Sequence, residues 1–65
     1  MNGPDFTVIH GGSIFILRAV TAAAREWAAE NLPDDATRLA GGIVVEPRYL
    51  SNILEGIAAD GLTFL

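Results

Sequence analysis

The chain has 65 residues, 51% of them hydrophobic, with eight acidic and four basic side chains, a net charge of −4 and no cysteine. That length holds one domain, near the size at which burial barely offsets chain entropy, and the apolar content excludes a disordered segment. The acid excess argues against direct nucleic-acid binding, which needs clustered cations to displace counterions from phosphate.

No run approaches the ~20 apolar residues of a membrane span, and Met1-Asn2-Gly3-Pro4-Asp5 lacks the basic start of a secretory signal. The expectation is a single folded domain over residues 1–65, with 1–4 flexible, working in the cytoplasm with neither membrane nor nucleic acid as partner. The single His10 excludes a His-rich metal site, so stability falls to a dense core, to self-association, or to both. All four basic residues are arginine and ten residues are alanine, a composition typical of a GC-rich coding genome.

The first element is a hairpin. Phe6 to His10 and Ser13 to Arg18 flank Gly11-Gly12, a pair able to supply the positive φ angles of a type I′ turn. With those glycines as the turn, Ile9 lies opposite Ile14 and Phe6 opposite Leu17. Opposite residues share a face, so Phe6, Val8, Phe15 and Leu17 form one face, and Thr7, Ile9, Ile14, Ile16 and Arg18 the other. Both faces are largely apolar. Helices of a two-layer domain cover only one of them, and the outer face, with Ile9, Ile14 and Ile16, becomes a candidate for self-association or a foreign protein.

Thr21 is an N-cap for the strongly helix-forming run from Ala22, which Pro33 ends by Asn31 or Leu32. Trp27 is the core anchor of that helix, while Glu26 and Glu30 face water as a like-charge i,i+4 pair that a cationic partner would relieve. Residues 33–42, with Asp34-Asp35 and Gly41-Gly42, read as a long connecting loop; its two aspartates lack the alternating oxygen ligands of a Ca²⁺ loop. Ile43-Val44-Val45 is a short strand. A second helix starts at Pro47 and repeats Tyr49, Leu50, Ile53, Leu54, Ile57 and Ala58 on one stripe, with Ser51, Asn52, Glu55 and Asp60 outward. Gly61 suits a left-handed C′ position, with Leu62 making the contact beyond it, and Thr63-Phe64-Leu65 can add a short strand.

These elements predict an α+β, two-layer sandwich: a three- to four-stranded, mainly antiparallel sheet in the order 2-1-3, with both helices on one face. The order comes from the crossover rule, which places the third strand beside the first when a helix joins the second strand to it.

Catalytic chemistry finds little support. His10 and Ser13 sit at a hairpin tip with Asp5 near in sequence, but such a tip has neither an oxyanion hole nor a water-excluding pocket. Gly11-Gly12-Ser13 is not a phosphate loop, which needs a following helix and a lysine. The expectation is a non-enzymatic chain with no catalytic, cofactor or metal residues.

Gly12-Ser13-Ile14, Thr21, Ala24-Arg25-Glu26-Trp27, Asn31-Leu32, Gly42-Ile43-Val44-Val45-Glu46, Arg48-Tyr49, Ile53, Gly56 and Asp60-Gly61-Leu62 together resemble a group of very small proteins of phages and prophages of GC-rich bacteria. The resemblance spans nearly the whole chain and rests on caps, turns and core positions, so it implies a fold more than an activity. It also implies a setting that includes anti-CRISPR proteins, which act without cofactors by occupying a surface of a Cas effector. The leading expectation is a host-directed inhibitor, of anti-CRISPR type, that binds an arginine-rich protein surface through Glu26, Glu30, Asp34, Asp35 and Glu55. The alternatives are a homodimeric structural subunit closed by Ile9, Ile14 and Ile16, and an antitoxin-like regulator of a nucleic-acid-binding protein.

Overall fold

The computed structural model describes residues 3–65; of the segment 1–4 expected to be flexible, Met1 and Asn2 lie outside the described residues. The elements follow in the order β1 (Phe6–Gly11), β2 (Ile14–Ala19), α1 (Ala22–Asn31), β3 (Arg38–Leu39), β4 (Gly42–Val45) and α2 (Pro47–Ala59). The fold is α+β, with one antiparallel four-stranded sheet and two helices.

The hairpin turns one residue later than Gly11-Gly12. Gly11 pairs with Ile14, His10 with Phe15, Ile9 with Ile16 and Phe6 with Ala19, so Gly12 and Ser13 form the loop. Gly12 has φ 78° and Ser13 is not left-handed, the pattern of a II′ turn with glycine at its first central position. Each residue's partner is thereby displaced by two positions. Because strand side chains alternate with period two, this keeps every residue on its expected face.

The strand order is β1-β2-β4-β3, which corrects the expected 2-1-3: Val45, Val44 and Ile43 pair with Phe15, Ile16 and Leu17, beside β2 rather than β1. The reason lies in residues 33–42, which are not all loop. Arg38 and Leu39 pair with Ile43 and Gly42 across Ala40-Gly41, both at positive φ (53° and 77°), as a type I′ turn requires. Since β2 and β3 are both antiparallel to β4, they are parallel to each other. The helical crossover therefore joins β2 to β3, and the tight hairpin folds β4 back between them.

The C-terminal residues add a parallel bridge, Phe6 with Phe64, at the β1 edge. There the Phe6 N–H donates to the Thr63 carbonyl at 3.0 Å and the Val8 N–H to the Leu65 carbonyl at 2.9 Å. One carboxylate fastens this corner: Asp5 accepts from the Thr21 hydroxyl at 2.7 Å and from the Thr63 N–H at 3.0 Å. Thr21 in turn accepts from the Ala24 N–H at 3.1 Å as the N-cap of α1. The expected end of α2 is present as a Schellman motif, with Gly61 at φ 80°, the Leu62 N–H donating to Ile57 and the Gly61 N–H to Ala58.

The core joins Phe6, Leu17, Ile43 and Val45 of the sheet to Ala24 and Trp27 of α1 and Ile57 of α2. The Trp27 ring meets Phe6 edge-on, centroids 5.8 Å apart at 82°, a favoured aromatic geometry. Leu50, Ile53 and Leu54 pack half-buried against this cluster. Tyr49 does not join it: half of its surface is exposed, because it lies on the first turn of α2, where the Arg48 guanidinium stacks 4.8 Å from its ring centroid.

Candidate interaction surfaces

The outer sheet face forms as an aliphatic field. The register places Ile9 beside Ile16, Gly11 beside Ile14, and Ile16 beside Val44. Of the two alternations open to Ile43-Val44-Val45, the structure takes the one that sends Val44 outward and buries Ile43 and Val45. Leu39 pairs with Gly42 and completes the field. Ile16 at its centre is only 6% exposed, shielded by its neighbours, whereas Ile9 and Leu39 are exposed and Ile14 and Val44 half-buried. Gly42 is required here: a Cβ on it would come within 2.6 Å of Ile16 Cγ2 and 2.8 Å of Arg18 Cγ. Sequence reasoning found Ile9, Ile14 and Ile16; Val44 and Leu39 depended on the strand order.

The acidic candidates divide between separate parts of the surface. Glu26 and Glu30 stand on the exposed side of α1, and Asp34 and Asp35 are exposed just after it. Glu55 borders a different hollow, with Phe15, Leu54, Ala58 and Phe64. The adjacent Gly56 instead meets the Trp27 ring of α1, 3.3 Å from where a Cβ would stand. Asp60, expected outward, accepts from Trp27 Nε1 at 2.6 Å.

At the hairpin tip the His10 ring stacks on Phe15, centroids 4.7 Å apart at 15°. Asp5 serves the corner described above, and the Thr21 hydroxyl, followed by the Thr63 N–H, holds its carboxyl below the usual carboxylate range. Thus His10, Ser13 and Asp5 form no hydrogen-bonded relay. Among the described residues no group of three or more His, Asp or Glu side chains is placed to hold a metal ion. No helix among them is long and apolar enough to cross a membrane.

Two hollows besides the one at Glu55 flank the helices. One, lined by Asn31, Leu32, Ala36, Tyr49 and Ile53, is mainly apolar, as is the one beside Glu55. The other is different in kind: it has a volume of about 280 Å³ and is bordered by both Arg25 and Arg38. Comparison with protein-family models, with curated proteins and with solved structures returns no match for this chain.

Proposed function

We propose that this chain is a non-enzymatic protein-binding domain that acts in the bacterial cytoplasm by occupying a surface of a host protein, as an inhibitor of anti-CRISPR type does. The observation that carries this reading is the outer sheet face. Ile9, Ile14, Val44 and Leu39 surround Ile16 on the side of the sheet opposite the helices. A contiguous aliphatic surface left to water costs solvation free energy that burial against a partner recovers. Arg18 and Glu46, which strand alternation puts on the same side as Val44, are the charged side chains at its rim, and Glu26 and Glu30, across the molecule on α1, remain free to steer approach towards a basic protein surface.

The test is plasmid interference in a bacterium with an active CRISPR system, with the wild-type chain or Ile14→Glu expressed. Loss of interference with wild type and its return with Ile14→Glu supports the reading. Undiminished interference with both removes the anti-CRISPR role.

The same face supports a second reading, a homodimer. Its aliphatic residues surround no carboxylate, and Glu46, next outward after Val44 by strand alternation, stands at its end paired with Arg48, so a second copy laid upon the face by a two-fold axis meets mainly aliphatic surface. Light scattering over a concentration series distinguishes the two: a dimeric mass that falls to monomer with Ile14→Glu assigns the face to self-association, and a monomeric mass leaves it to a foreign protein.

A further inference from the structure

The arginines are distributed less evenly than the acids. Arg48 pairs with Glu46 at 3.2 Å, the only ion pair among the described residues. Arg18, Arg25 and Arg38 have no carboxylate partner among the described residues, and Arg25 donates from Nη1 to the Val20 carbonyl at 3.3 Å. Arg25 of α1 and Arg38 of β3 border the same groove. Arg38 shares the helix-bearing face with Ile43, its register partner. Arg18 approaches from the other side of the sheet, its Nε 3.7 Å from where a Cβ on Gly41 would stand.

The groove's surface is polar and apolar in nearly equal parts: the apolar side chains are Leu17, Ala19 and Ile43 from the sheet and Ala28 and Ala29 from α1, and Gly41 and Gly42 complete the lining beside the two arginines. Small side chains on α1 leave this space open beside the last strand. In a chain of net charge −4, the two guanidinium groups that border this hollow, neither of them paired with a carboxylate, create a local positive potential opposite in sign to the molecule as a whole. A guanidinium offers a planar fork of donors that matches a carboxylate, while the alanine and leucine surface between them suits a hydrocarbon stem. A phosphate would have its charge met at the rim but would gain nothing from that apolar surface.

From this juxtaposition we propose that the groove between α1 and β3 binds a carboxylate carried on a short apolar stem, with Arg25 and Arg38 holding the carboxylate and Ala28, Ala29 and Ile43 the stem. A free short-chain carboxylic acid and the C-terminus of a peptide share this chemistry. The site lies on the helix side of the sheet and is independent of the outer face, so either proposal can fail alone.

The experiment is a titration of the ¹⁵N-labelled protein with acetate, hexanoate and inorganic phosphate, followed by two-dimensional NMR. The expected result is shifts confined to Ala28, Ala29, Gly41, Gly42 and Ile43, with hexanoate tighter than acetate and tighter than phosphate. Arg25→Gln and Arg38→Gln should each weaken hexanoate about fivefold, while Arg48→Gln leaves it unchanged. Both substituted side chains are exposed, and each variant's own spectrum reports whether the fold persists. Absence of shifts at the groove, equal affinity for phosphate and hexanoate, or equal weakening by Arg48→Gln would overturn the proposal. Leucine-ended peptides with free and amidated termini identify the source: a free-acid peptide tighter than both hexanoate and its amide assigns a peptide terminus, and hexanoate tighter than the peptide assigns a free acid.

Discussion

Trp27 donates its indole N–H to the Asp60 carboxylate at 2.6 Å, so the largest side chain of α1 is fixed to the C-terminal cap of α2. The tryptophan is 9% exposed, and its one polar atom finds a charged acceptor at the surface end of the core. Removing that acceptor strands a buried donor. Asp60→Ala should lower the unfolding free energy by about 1–3 kcal/mol, and Asp60→Asn, which keeps an acceptor oxygen, should cost less. Urea unfolding followed by tryptophan emission measures both. Equal stability of Asp60→Ala and wild type would show that water replaces the carboxylate at no cost.

Ala40 is the one non-glycine residue among those described with positive φ, at 53°. An alanine there carries a left-handed penalty of about 1–2 kcal/mol, which asparagine, a favoured residue of I′ turns, reduces. Ala40→Asn should therefore stabilise the fold by about 0.5–1 kcal/mol and raise Tm by about 2–8 °C. Calorimetry reads the shift directly. A lower Tm would show that this turn is not left-handed in solution.

These two sites also show what the sequence could reveal. The faces of the first hairpin were legible because alternation survives a two-residue displacement of partners, even though the turn sits at Gly12-Ser13. The strand order was not legible, because β3 is only two residues long and Ala40-Gly41 lacks the Asn-Gly pattern that announces a I′ hairpin. Missing that hairpin assigned the helical crossover to the wrong strand. The end of α2 was legible because glycine at C′ is a local signal, whereas Trp27 and Asp60 are 33 residues apart and no local pattern links them. Of the candidate surfaces, Ile9, Ile14 and Ile16 could be found from one hairpin. Arg25 and Arg38 lie on different elements, and only the crossover brings them to the same groove.

Gly42 illustrates a glycine chosen for space rather than for φ. Its Cα faces β2, and a methyl group there would fall 2.6 Å from Ile16 Cγ2 and 2.8 Å from the Leu17 carbonyl. The carbonyl belongs to a central strand and cannot rotate away, so β4 would have to separate from β2. Gly42→Ala should destabilise the protein by about 1–3 kcal/mol. Gly12→Ala provides the contrast, since a Cβ there meets nothing within 4 Å and the cost is confined to its positive φ. If denaturant midpoints show Gly42→Ala to be the milder of the two, the close packing of β4 on β2 is wrong.

Asp5 predicts the acid limit of stability. The Thr21 hydroxyl and then the Thr63 N–H donate to its carboxylate and hold it below the ordinary value of 3.8; partial burial opposes them, and the Thr63 hydroxyl adds a weaker lowering effect. A carboxyl whose folded value is depressed contributes stability that is present above its unfolded value and is lost as pH falls through the folded one. Asp5→Asn removes this contribution while keeping the shape. The wild type should therefore exceed the variant in denaturant midpoint by a constant margin above about pH 5, and the margin should shrink as the pH falls below about 4. Because the same carboxylate joins the cap of α1 to the C-terminal segment, amide exchange of the Ala24 and Thr63 N–H groups should quicken together in the variant. A margin independent of pH would mean that the threonines hold Asp5 through its shape and not its charge.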